Sequence, residues 1–163
     1  MVSIYLASPL GFADSTRHFM ADLVERLGPH VEVLNPWDDV RFVDEFARIA
    51  GVDSRAEAFA ALAEINTELG RANAESIRKA DGMVAILDGV DVDSGTAAEI
   101  GYAYALGKRI YGLRTDFRLA GDNHGSIVNL QVQYFIEASG GSVQITVEQL
   151  LSEVRNWVMS SGT

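Results

Sequence analysis

Short apolar runs alternate with helical patterns along the whole chain. Val2 to Ala7 is a β-type run. The stretch Ser8-Pro-Leu-Gly11 after it is a turn, because proline and glycine punctuate regular structure. Asp14 opens a helical pattern to about Leu27, with Phe19, Leu23 and Leu27 four residues apart on one face. Val31 to Leu34 alternates as a strand does, and Asn35-Pro-Trp-Asp38 breaks it. Residues 40–53 are the least readable part, a short helix inside a loop. Ser54-x-x-Glu57 fits a capping box that opens a long helix reaching Lys79. Gly82 to Leu87 is continuously apolar, the mark of a strand buried on both faces. A helix over 97–107 follows, then a strand over Arg109 to Leu113 and a polar loop from Thr115 to Gly125. The remainder reads as a helix over Ile127 to Ala138, a strand over Ser142 to Ile145, and a last helix capped by Thr146-x-x-Gln149 and running to Val158. Ser160 to Thr163 reads as a frayed end.

Five strands interleaved with helices predict a parallel sheet covered on both faces by right-handed crossovers. The expected fold is α/β, a three-layer, flavodoxin- or Rossmann-like sandwich. Residues 1–163 are expected to form one domain, since 163 residues at 48% hydrophobic content suffice for one sizeable core.

Composition narrows the chemistry. Cysteine is absent, which excludes disulfides and thiolate metal sites and suits a cytoplasmic protein. No basic amino-terminal region precedes an apolar stretch, and no run approaches roughly 18 apolar residues, so neither a signal peptide nor a membrane span is expected. A net charge of −10 argues against nucleic-acid polymers, whose phosphates demand a basic face. Small ligands remain open. His18, His30 and His124 are scattered without metal-ligand spacing, and no dinucleotide fingerprint, Walker loop or G-x-S-x-G elbow occurs.

The residue to explain is Glu99, the only charge between Ala97 and Gly107. A helix that is apolar all round is normally buried, and a carboxylate inside it is costly unless something pairs with it or uses it. One account is a capping box, Thr96-x-x-Glu99, with Thr96 as the cap. The other is a site. The preceding loop carries Asp88, Asp91 and Asp93, and it lies at the carboxyl end of an apolar strand, where open α/β sheets bind ligands. A carboxylate there suits attack on an anomeric carbon, because a negative charge stabilises an oxocarbenium-like transition state. Tyr5, on the neighbouring first strand, can hold such a glutamate in its rotamer; a core aromatic on a buried strand fits Tyr5 as well.

An ordered series of motifs carries a resemblance. Ile4-Tyr-Leu-Ala-Ser-Pro9, Asn73-x-x-x-Ile77-x-x-x-Asp81, Asp93-Ser-Gly-Thr-x-x-Glu99-Ile-Gly101, Gly107-Lys108, Thr115-Asp116-x-Arg118 and Val128-Asn129-Leu130 together resemble the nucleoside 2-deoxyribosyltransferase family over about residues 2–137. The resemblance implies that Glu99 attacks C1′ of a 2′-deoxynucleoside and forms a covalent deoxyribosyl-enzyme, which a second base then attacks. Tyr5 orients the glutamate and Asp93 lies near sugar and base. Asn129 reaches the 5′-hydroxyl from an adjacent subunit, which implies a homodimer or larger homo-oligomer with shared sites. Ser8, Gly95, Asn73 and Gln131 are the further substrate-binding candidates. The partners implied are nucleosides and free nucleobases, with no cofactor and no metal.

Two departures from the family pattern stand out. Asn73 occupies a position where some members carry an aspartate near the leaving base, and an amide has no titratable proton, so base protonation falls to Asp93 or water. Gln131 replaces a methionine that some members carry. The runner-up function is an N-glycosidase of nucleosides or nucleoside 5′-monophosphates; Gly95-Thr96-x-x-Glu99 also resembles the G-T-x-x-E of phosphoribohydrolases, without their P-G-G lead-in. A non-catalytic base-binding module is the third class.

Overall fold

The computed structural model describes residues 1–119, 121 and 123–161. Its five strands are β1 (Ser3–Ala7), β2 (Glu32–Leu34), β3 (Gly82–Ile86), β4 (Arg109–Leu113) and β5 (Val143–Gln144). They form one sheet in the order β2-β1-β3-β4-β5, and every pairing is parallel. The helices are α1 (Asp14–Leu27), α2 (Val40–Ala50), α3 (Arg55–Lys79), α4 (Ser94–Ala105), α5 (Leu130–Ala138) and α6 (Val147–Ser161). The three-layer α/β architecture expected from the alternation of patterns is the one found.

Strand alternation sorts the core into two layers. Ile4, Leu6, Val84, Ile86, Tyr111 and Leu113 meet Leu23 and Leu27 of α1 and Leu150, Leu151 and Val154 of α6. Tyr5, Ala7, Met83, Ala85 and Ile110 point the other way, onto Ile77 of α3, Ile100 and Ala103 of α4, and Val132 and Ile136 of α5. Period-two side-chain alternation along a strand produces this split. β3 sits at the centre with all five residues buried, as its unbroken apolar run requires.

Some of the motif residues serve the fold. The Asp81 carboxylate accepts the Ser3 N–H at 2.8 Å and hydroxyl at 3.0 Å, tying the entry of β3 to that of β1; the Ser3 N–H is the main reason its pKa is lowered. Gly107, at φ +70°, turns the chain after α4, and the Lys108 ammonium then donates to the Ala80 carbonyl at 2.6 Å.

Several boundaries move. The Glu99 helix begins at Ser94, and its cap is Asp93, whose carboxylate accepts the Thr96 N–H at 2.9 Å. The capping box with Thr96 as cap is therefore incorrect: an aspartate three residues upstream takes that N–H. Nor is this helix buried all round. Thr96, Ile100 and Ala103 are buried, while Gly95, Ala98 and Ala105 are exposed. The helix expected from Ile127 starts at Leu130, because Asn129 caps it. Residues 40–50 are a full helix capped by Asp39. The last helix runs on to Ser161; Gly162 and Thr163 of the expected frayed end lie outside the described residues. No helix among the described residues is long and apolar enough to cross a membrane.

Candidate active site

The chain leaves β1 for β2 on one side of the sheet and leaves β3 for β4 on the other. The crevice between such diverging strands, outside their carboxyl ends, is where doubly wound sheets bind ligands. A cavity of about 960 Å³ opens there. Ser8, Gly11 and Phe12 line it from the segment after β1, and Pro36 to Asp39 from the turn after β2. Phe42, Val43 and Phe46 come from α2, Asn66, Leu69 and Asn73 from α3, and Asp93 to Thr96 with Glu99 from the start of α4.

Glu99 is the centre of the polar contacts. Tyr5, completely buried on β1, donates its hydroxyl to Glu99 Oε1 at 2.6 Å. The Asn73 amide, from α3, donates to the same oxygen at 3.4 Å. Both donors take Oε1, so Oε2 has no partner among the described residues. Burial pushes the Glu99 carboxyl above its ordinary pKa, and the Asp93 charge adds to that; the hydrogen bonds from Tyr5 and Asn73 pull it back. Burial first, and then the adjacent glutamate, drive the Tyr5 hydroxyl far above its usual range, so it remains a donor.

The structure brings most of the sequence candidates together. Ser8, Asn73, Asp93, Gly95 and Glu99 all line the cavity, and Tyr5 lies beneath Glu99. Asp93 has a second task as the α4 cap, its Oδ2 accepting the Thr96 N–H and hydroxyl. Ser8 Oγ accepts the Leu10 N–H at 3.1 Å. Asn129 and Gln131 do not line this cavity; the Asn129 side chain accepts the Gln131 N–H at 3.0 Å at the start of α5.

The aromatic wall is what sequence reasoning missed. Phe12 and Trp37 pack edge to face with centroids 4.6 Å apart. The Trp37 indole N–H donates to the Ser8 carbonyl at 2.9 Å. A Cβ on Gly11 would lie 2.0 Å from that indole, so only glycine admits this packing. The available signal was Asn35-Pro36-Trp37, a strand-ending turn with a large aromatic at the ligand end of the sheet.

Behind the site a buried cation holds two loops. Arg114 is 2% exposed, and its guanidinium donates to the carbonyls of Leu87, Gly89 and Arg118. Asp88 returns the contact, accepting the Thr115 N–H and hydroxyl at 2.6 Å each and the Asp116 N–H at 2.8 Å. This clasp fixes the loop that leads into α4. Among the described residues, no three His, Cys, Asp or Glu side chains gather as they would around a metal ion.

Fold and site together define a doubly wound parallel α/β protein with a glutamate pocket at its switch point. The chain belongs to the nucleoside 2-deoxyribosyltransferase family, whose model matches residues 4–131. Among solved structures it is similar to a conserved protein from Enterococcus faecalis V583, at 26% identity and TM-score 0.68, covering 96% of this chain and 98% of that one. The 2-deoxyribosyltransferase of the psychrotolerant bacterium Bacillus psychrosaccharolyticus is 22% identical with TM-score 0.62, over 92% of this chain and 90% of that one. A CMP N-glycosidase from Clostridium botulinum is 20% identical with TM-score 0.54, over 95% and 98%. At these last two identities the likeness concerns the fold. No curated protein matches the chain.

Proposed function

We propose that the whole chain acts as one domain, a nucleoside 2-deoxyribosyltransferase that exchanges the base of 2′-deoxynucleosides through a covalent deoxyribosyl-glutamate. The observation that carries this reading is the asymmetric seating of Glu99. Two donors hold Oε1, Oε2 has no partner among the described residues, and Glu99 lines the cavity. A carboxylate fixed by one oxygen presents the other as a nucleophile with little rotamer freedom to lose.

In the first half-reaction Oε2 bonds to C1′ as the C1′–N bond breaks, with the positive charge developing on the sugar facing the carboxylate. In the second, a free base attacks C1′ from the face the first base left, the C1′–Oε2 bond breaks, and Glu99 departs as carboxylate. Two inversions give net retention. Tyr5 and Asn73 hold the carboxylate, Asp93, Ser8 and Gly95 border the sugar, and no cofactor is called on.

Asn129 and Gln131 lie away from their own chain's cavity, and exposed apolar side chains stand on the same helix pair. Leu130, Tyr134 and Leu106 are exposed on α5 and at the end of α4, beside the Tyr104–Phe135 stack. We assign that face to a second copy of the chain, which receives Asn129 in its site. The setting is cytoplasmic nucleoside salvage. Hydrolysis is the second reading, because a cavity of this size admits water to the same ester.

The experiment incubates the protein with a 2′-deoxynucleoside, with and without a second free base, and follows products by chromatography. A new deoxynucleoside formed only with the acceptor is the expected result. Glu99→Ala should lower its formation by roughly 10⁴-fold or more, the scale on which losing one member of a catalytic unit acts. Mixing Glu99→Ala with Asn129→Ala chains should restore part of the activity if sites are shared. Base release equal with and without acceptor makes the protein a hydrolase; full exchange by Glu99→Ala removes the mechanism; no turnover at all makes it a binding module.

A further inference from the structure

A purine or pyrimidine leaves as a neutral base only if a ring nitrogen gains a proton while the C1′–N bond breaks. The amide of Asn73 has none to give, and it is turned onto Glu99 Oε1. The cavity contains no histidine, lysine or tyrosine in its lining, and four carboxylates: Asp38, Asp39, Asp93 and Glu99.

Three of the four are already engaged. Glu99 is the nucleophile, held by Tyr5 and Asn73. Asp93 caps α4. Asp39 caps α2 through the Arg41 N–H at 3.1 Å and takes the Arg41 guanidinium at 2.9 Å on the same oxygen. Asp38 has no side-chain hydrogen bond or ion pair among the described residues. Asp38 and Asn73, like Asp39, border a smaller cavity of about 270 Å³ as well as the main one, so Asp38 stands on the same side of the site as the amide.

Resting on the transferase reading above, we infer that Asp38 is the general acid and base of the exchange, taking over the proton transfer that Asn73 cannot perform. As Glu99 Oε2 bonds to C1′, the Asp38 carboxyl group gives its proton to a ring nitrogen of the leaving base, which departs neutral. The Asp38 carboxylate then takes the ring N–H proton of the acceptor base as that nitrogen bonds to C1′ and Glu99 leaves. Protons and charges balance over the cycle, and no co-reactant is needed. The sequence conceals this assignment, because Asp38 comes from the turn after β2, far along the chain from Asn73.

A leaving group that needs no proton provides the test. Asp38→Asn should cut cleavage of a 2′-deoxynucleoside by roughly 10²- to 10⁴-fold, the usual worth of a general acid. Cleavage of 4-nitrophenyl 2-deoxyribofuranoside, whose phenolate leaves unprotonated, should hold near the wild-type rate, and that rate also reports that the variant is folded. Asp38→Glu should recover part of the nucleoside activity. Equal loss on both substrates in Asp38→Asn and Asp38→Glu, or no loss on the nucleoside, overturns the assignment. Glu99→Ala should abolish both cleavages; if it does not, the covalent reading fails on its own account, separately from Asp38.

Discussion

The floor and the wall of the cavity are built on opposite terms. The floor is Tyr5 and Glu99, carried by a strand and a helix that pack into the buried layer with Met83, Ala85, Ile100 and Ala103. The wall is the turn after β2 and helix α2, where Ile49 alone is buried and Phe46 is 39% exposed. α2 reaches the rest of the protein chiefly through α3. Its apolar face looks into the cavity, so its amphipathic pattern serves the site more than the core. Groups that must hold a reacting atom within tenths of an ångström belong on rigid, buried elements. Groups that need only cover a flat base tolerate a thinner support. The contrast predicts that floor substitutions alter rate and that substitutions of the apolar wall residues alter binding, with Asp38, as the inferred proton donor, the one wall residue whose loss alters rate.

Tyr5→Phe is the sharpest way to break that division on the floor. It removes a hydrogen bond to a charged acceptor, about 1.5–3 kcal/mol, or roughly a ten- to hundredfold fall in kcat. The pH profile carries a second signature. In the proposed exchange Glu99 attacks as a carboxylate, so kcat/KM should be present above its pKa and lost as pH falls through it. Burial already raises that pKa and Tyr5 holds it down, so removing the hydroxyl should move the acid limb to higher pH. An unmoved limb with lower activity would mean that Tyr5 matters only for packing.

Gly11→Ala tests the junction of floor and wall. The new Cβ must push the Trp37 indole away from a 2.0 Å approach, at a cost of about 1–3 kcal/mol in urea unfolding. KM for the nucleoside should rise while kcat changes little. A kcat loss as large as that of Tyr5→Phe would show that floor and wall are coupled.

Phe46→Ala has the smallest expected effect. Because the ring is already well exposed, its loss should cost only about 1 kcal/mol of stability. KM should rise a few-fold with kcat intact, read from initial rates across several free bases as acceptors. Equal effects on every base would make α2 a general cover; unequal effects would make it a selector.

The amino-acid pattern was enough for the sheet and most of the helices. β4 and α1 fall on the residues expected, because the four-residue apolar period of α1 fits a helix and the five residues of β4, following the glycine that ends α4, are too few for one. Glu99 was legible as an anomaly, since a lone charge in an apolar helix contradicts its surroundings, and Tyr5, Asp93 and Asn73 followed from motif order. What the pattern could not resolve was choice among equivalent local partners. Asp93 and Thr96 are both good caps, and the selection depends on how the loop leaves β3 with Arg114 and Asp88 holding it.

Residues 40–50 were expected as a short helix inside a loop, but their place in the site was not legible: their apolar face is directed at a cavity, and a cavity has no sequence signature of its own. Asp38 was equally silent. Its significance comes from what every other carboxylate nearby is already bonded to, and that is a property of tertiary contacts. Periodicity and local capping chemistry thus determined the elements and exposed the residue out of place. Only the packed fold decided which oxygen of Glu99 is free, which aspartate is unpartnered, and which side chains face the same space, because these depend on distances between segments that the chain order leaves open.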